Sequence, residues 1–122
     1  MKYVILMQVD PAVLASMSAD EQQAIGAGHQ QFIDEITASG EFLSTNALGD
    51  PSQSTVVRGT GGKPQVTEGP FAETKEFMGG YYLIDVESKD RAVELAQLIP
   101  DAAIDGLALE IRPVMFSAGA DL

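Results

Sequence analysis

The chain has no cysteine, a single histidine, and only 7 lysines and arginines against 18 aspartates and glutamates in 122 residues. Without thiols it holds no disulfide, no zinc–thiolate centre, no cysteine-ligated iron–sulfur cluster and no thiol nucleophile. One histidine rules out a histidine-rich metal site within one copy of the chain. The scarcity of cations leaves a net charge of −11. No basic stripe exists to release phosphate counterions, so nucleic acid is not an expected partner. The same balance argues equally against anionic membrane surfaces. Long apolar runs are also missing. The opening MKYVILMQVD breaks at Gln8, too early for the apolar region of a signal peptide and far too early to span a bilayer. A cytoplasmic location is the expectation. No phosphate-binding loop is present either, because GTGGKP at 59–64 lacks the required spacing and leads into proline rather than a helix. No spaced cluster of acids singles out a metal site, and no cofactor is expected.

What remains is ordinary globular composition, 45% hydrophobic and 20% charged, in a chain of single-domain size spanning 1–122. Lys2 to Val9 reads as a strand with apolar residues on both faces, the pattern of a strand covered on both sides. SADE at 18–21 reads as a capping box, with Ser18 as N-cap and Glu21 reaching back. The helix it opens runs to about Ser39 and stops at Gly40. Ile25, Phe32, Ile33 and Ile36 form its apolar stripe, and His29 falls on the same stripe.

Glu41 to Leu48 reads as a short strand, Thr55 to Arg58 as another, and GTGGKP as a hairpin tip before an edge segment at 65–67. Gly79-Gly80 opens a strand from Tyr81 to Val86. Ser88 caps a second helix ended by Pro100, and Leu107 to Met115 is the last strand. Strand, helix, hairpin-bearing strands, strand, helix, strand is the split βαβ, ferredoxin-like α+β pattern with an added hairpin. Two helices cover one face of such a sheet. The other face also carries apolar residues, which predicts a partner, most simply a second copy in a homodimer.

The residues EGPFAETKEFMGGYYLIDV at 68–86 resemble the signature of the DGPF branch of the YCII-related proteins. LIP at 98–100 and EIRPVM at 110–115 continue the likeness, which covers about Met1 to Met115. The resemblance implies a ferredoxin-like fold assembled as a dimeric α/β barrel. It also implies a cleft between sheet and helix in which a helix histidine and the aspartate of an Asp-Gly-Pro turn form the catalytic pair. His29, eleven residues before Gly40, matches the histidine. Glu68 stands where the family has aspartate, one methylene longer. Relatives include a dehydrochlorinase acting on hydroxylated aromatic rings, and DGPF proteins often accompany extracytoplasmic-function sigma factors.

Each candidate residue has a chemical and a structural reading. His29 beside a carboxylate is a general acid/base; alternatively its ring packs at the core edge and bonds a backbone carbonyl. Glu68 is the catalytic carboxylate or an ordinary turn acid. In the loop, Lys75 draws an anionic ligand and Thr74 donates to it, or residues 72–77 form one helical turn whose charges lock the loop against a neighbouring subunit. Phe71 contacts a ligand or simply fixes the path of the loop. Tyr81 and Tyr82 face opposite ways, one into the core and one along the cleft or dimer seam. Arg58 and Arg112 are the cations best placed to meet a carboxylate ligand, or they form surface ion pairs. Two functions from different classes stand: a cofactor-free enzyme using His29 and Glu68 on a small polar or aromatic substrate, and a non-catalytic module binding a small ligand or a protein linked to sigma-factor regulation.

Overall fold

The computed structural model describes residues 1–72 and 74–119. It places strand β1 at Lys2–Val9, where Tyr3 and Ile5 are buried and Val4 and Leu6 lie partly buried on the opposite face. A short helix α1, Pro11–Ala15, follows at once. Asp10 caps it by accepting from the Ala12 N–H, and Pro11 occupies the first turn, where no N–H is needed.

Helix α2 spans Ala19–Ala38 and begins with the expected capping box: the Glu21 N–H donates to Ser18 Oγ, and the Ser18 N–H donates to Glu21 Oε1, both at 3.1 Å. It ends in a Schellman motif. Gly40 adopts φ +81°, its N–H donates to the Thr37 carbonyl and the Glu41 N–H to the Ile36 carbonyl.

Strands β2 (Phe42–Ala47), β5 (Phe77–Asp85) and β6 (Ala108–Pro113) join β1 in an antiparallel sheet of order β2-β5-β1-β6. This order is the one expected of the split βαβ pattern, and the fold is α+β with antiparallel sheets. Helix α3, Lys89–Ala96, is capped by Ser88 as expected. It stops before Pro100, which instead opens a 3₁₀ turn, Pro100–Ala103. β5 also departs from expectation. It starts at Phe77, and Gly79-Gly80 lie inside it, where the pairing with β1 shifts between Met7 and Gln8. A bulge absorbs the pair of glycines.

Both long helices cover one face of the sheet. Phe32 and Ile36 of α2, and Ala92, Leu95 and Ala96 of α3 with Ile99 beyond it, pack against Tyr3, Ile5, Tyr82 and Ile84. Phe32→Ala should cost about 3–5 kcal/mol, the usual range for emptying an aromatic site in a core.

Strands β3 (Thr55–Thr60) and β4 (Lys63–Glu68) form a separate two-stranded sheet. Its tip is Gly61-Gly62, with φ +59° and +80°, the conformation that two-residue hairpin turns favour. The directly opposed Val57 and Val66 are 66% and 63% exposed.

One ion pair ties Glu41, just before edge strand β2, to helix α3. Arg91 Nε and Nη2 each donate to a Glu41 oxygen at 2.9 Å. That fork holds the Glu41 carboxyl below its usual range, against the opposing effect of its burial. A carboxyl depressed in the folded state stabilises above its unfolded value, about 4.3, and the contribution fades as pH falls below that. Glu41→Gln should therefore lower the melting temperature at neutral pH. The gap to the parent should close as a thermal-melt series is carried into acid.

Candidate functional site

His29 is carried by the inward stripe of α2, one turn before Ile33 and Phe32. Both ring nitrogens are engaged. Nδ1 lies 2.6 Å from the Tyr82 hydroxyl and Nε2 lies 2.8 Å from Asp101 Oδ1. Tyr82 comes from the middle of β5 and is almost fully buried; Asp101 comes from the 3₁₀ turn after α3 and is the buried charged residue of the described core.

The close approach of that turn depends on Gly28. A Cβ there would sit 2.6 Å from Pro100 Cγ, so any larger residue pushes the turn, and Asp101 with it, away from α2. The absence of a side chain at 28 leaves room for Pro100, the residue before Asp101.

The protons can be assigned from the partners. Burial, with the Asp101 charge adding to it, pushes the Tyr82 phenol up to about 12. The phenol therefore keeps its proton at neutral pH and donates. A carboxylate offers only acceptors. The neutral ring must then accept from Tyr82 at Nδ1 and donate its Nε2–H to Asp101. The rings of His29 and Tyr82 are nearly parallel, 8° apart, and Phe32 meets Tyr82 edge-on with centroids 5.0 Å apart. These contacts hold the ring orientations that the hydrogen bonds need.

The three residues line a cavity of about 300 Å³ whose other walls include Met7, Val9, Leu14, Ile25 and Leu107. A chain of carboxylate, imidazole and phenol in an apolar pocket holds a defined tautomer and can move a proton at Nδ1.

The expectation of a carboxylate on His29 is met by a different residue. Asp101 holds that place, and Glu68 does not. Glu68 ends β4, which pairs only with β3, and its exposed carboxylate accepts from Thr55 Oγ1 at 3.1 Å. Arg58, also on the hairpin, sets its guanidinium 4.8 Å from the centre of the Phe71 ring, a cation–π contact. Phe71 is 73% exposed and borders a second cavity of about 420 Å³ between the 48–54 loop and Phe77-Met78.

Thr74 donates to the Glu76 carbonyl at 2.7 Å, and Lys75 is exposed. None of Glu68, Arg58, Thr74 and Lys75 is among the described residues lining the His29 cavity. No helical turn forms among the described residues of 72–77, and Glu73, the first charge of that segment, lies outside the described residues. Tyr81 points to the sheet face opposite the helices, where Asn46 Nδ2 donates to its hydroxyl at 2.8 Å. Arg112 lies on that face too, at the exposed end of β6. Among the described residues no helix is long and apolar enough to cross a membrane, and no group of three or more potential metal ligands occurs.

The fold defines the class of protein: a small α+β unit built on antiparallel sheets. The chain belongs to the YCII-related domain family, whose model matches residues 1–116. It is also 29% identical over 114 residues, covering 93% of this chain and 92% of the relative, to an uncharacterized protein of Rhizobium meliloti (strain 1021).

Tyr82→Phe keeps the packing and removes the bond to Nδ1. The phenol is raised in the folded state, so its contribution to stability is intact below the unfolded value near 10 and is lost as pH climbs towards 12. The parent should lose about 2 kcal/mol relative to Tyr82→Phe across that interval. Denaturant unfolding at several alkaline pH values reads the difference, and ultraviolet titration should show the last tyrosine step vanish in the variant.

Proposed function

We propose that this YCII-related protein is a small acid–base enzyme, with Asp101, His29 and Tyr82 as its proton-handling group and the adjoining cavity as the place where a small polar or aromatic substrate binds. The observation that carries this reading is the double engagement of the histidine. Asp101 fixes the tautomer and stabilises the imidazolium that forms when Nδ1 takes a proton. Tyr82 shares its proton with Nδ1 at rest. A protic group in the cavity passes its proton to Nδ1 through the phenol, or directly when the phenol turns aside. Elimination chemistry, which needs one base and one acid, fits this inventory.

The same double engagement also favours a second reading, a ligand-binding module in which His29 is a fixed polar wall, since neither nitrogen is vacant at rest.

Long-range ¹H–¹⁵N spectra test the arrangement directly, because His29 is the only histidine. The neutral ring should be protonated at Nε2 and bare at Nδ1, and Asp101→Asn should redistribute the tautomers. A neutral ring protonated at Nδ1 would sink the proposed roles. With a substrate in hand, His29→Gln should lower turnover by about 10²-fold or more, the usual contribution of a general base. Unchanged turnover would leave the binding-module reading.

The assembly we propose is a homodimer closed over the uncovered sheet face, a dimeric α/β barrel. Val4, Leu6, Tyr81 and Leu83 form its apolar centre, with Glu110 and Arg112 paired in register beside Leu6 and Val4. A twofold axis brings such a face onto itself. Sedimentation equilibrium should give twice the chain mass, and Leu83→Lys should give the monomer mass with helix content kept.

A further inference from the structure

The His29 cavity does not end at its apolar walls. Val9, Leu14 and Gly79 line it and also line an outer cavity of about 410 Å³, bounded further by Leu48, Phe77 and Met78. Three shared wall residues join the two as lobes of one bent groove, and the outer lobe runs on into the cavity beside Phe71, with which it shares Leu48, Gly49, Asp50, Pro51, Phe77 and Met78. Gly79 stands at the junction. A Cβ there would meet Val9 Cγ2 at 2.8 Å, so only glycine leaves the side chain of Val9 undisturbed at the neck.

The charge inventory of the groove is one-sided. Among the described residues lining the two lobes, the ionisable groups are Asp50 at the outer end and His29, Tyr82 and Asp101 at the inner end; no lysine or arginine borders either lobe. Of the candidates for anion capture named from the sequence, Arg58 stacks on Phe71 at the far wall of the cavity of about 420 Å³, which adjoins the outer lobe but does not include Val9, Leu14 or Gly79, and Lys75 is on the exposed loop. An anionic group drawn past Val9, Leu14 and Leu48 would lose its hydration and gain no countercharge, in a chain already at −11.

We propose that the groove binds an elongated, uncharged and largely apolar molecule, whose protic end reaches His29 while its apolar body lies in the outer lobe between Leu14, Leu48, Phe77 and Met78. This rests on the reading of the His29 cavity as a ligand site and extends it to a ligand class: anions such as carboxylates, phosphates and sulfonates are rejected. The selectivity comes from what the walls lack, and the length of the ligand from the continuity of the two lobes.

A matched pair of fluorescent probes tests this without any turnover. N-phenyl-1-naphthylamine and 1-anilinonaphthalene-8-sulfonate share one skeleton and differ by the sulfonate charge. The neutral probe should bind about tenfold or more tighter than the anionic one at moderate salt. In spectra of methionine methyls, the neutral probe should shift both Met7, which lines the inner lobe, and Met78, which lines the outer one. Leu48→Arg places a cation at a half-exposed position of the outer lobe and should reverse the order of the two probes.

Equal or tighter binding of the sulfonate by the parent protein overturns the charge rule. A shift confined to one of the two methyls, or to neither, overturns the continuous groove. Because binding is read without turnover, an inert His29→Gln result would remove the acid–base reading and leave this one standing, and the converse also holds.

Discussion

Tyr82 is the side chain on which both the fold and the site depend. Its ring fills the core beneath Phe32, and its hydroxyl, the one polar atom of that side chain, finds the imidazole of His29 at 2.6 Å. A phenol this deeply buried needs a partner for its hydroxyl, because an unpaired polar group inside a core is costly. The histidine supplies it, and is in turn anchored by Asp101. Strand β5, helix α2 and the 3₁₀ turn at Pro100 are thus joined by two hydrogen bonds through one ring. Long-range polar contacts of this kind specify how the helix and sheet layers sit on one another, beyond what apolar burial alone fixes.

Much of the scaffold is legible from local signals. The capping box at Ser18 and Glu21, the apolar spacing through Phe32 and Ile36 and the glycine at 40 define α2 to within about a residue, because each of these reports on neighbours one turn away. The alternation in β1 is equally local. Boundaries blurred where two local signals compete. Gly79-Gly80 looks like the opening of a strand, and paired glycines are equally a signal for a bulge; the second reading holds, since a bulge opposite Met7 and Gln8 lets both glycines lie within β5. Pro100 reads as a stop, while in three dimensions it is also the start of the turn that carries Asp101.

The candidate site was legible by half. His29 stands out as the lone histidine on an apolar stripe. Its carboxylate partner does not, because 72 positions separate the two residues and Asp101 is one acid among 18 with no motif around it. The pattern at 68–86 points to Glu68, whose turn is recognisable. The hairpin, however, pairs with itself rather than with the main sheet, so its residues contact one another instead of the imidazole. The clue available was steric: a glycine at 28 next to the histidine marks where another piece of backbone comes close, and Pro100 is what comes close.

The hairpin itself is an appendage. β3 and β4 share no ladder with the four-stranded sheet, and their tip is two exposed glycines. Loop closure grows only slowly more costly with added length, so residues inserted between Gly61 and Gly62 leave the main sheet and the helices' packing untouched. The tip is thus a natural splice point: an epitope, a fluorophore-bearing residue or a peptide drawn from another protein can be displayed there while Tyr82 and its partners continue to hold the domain together.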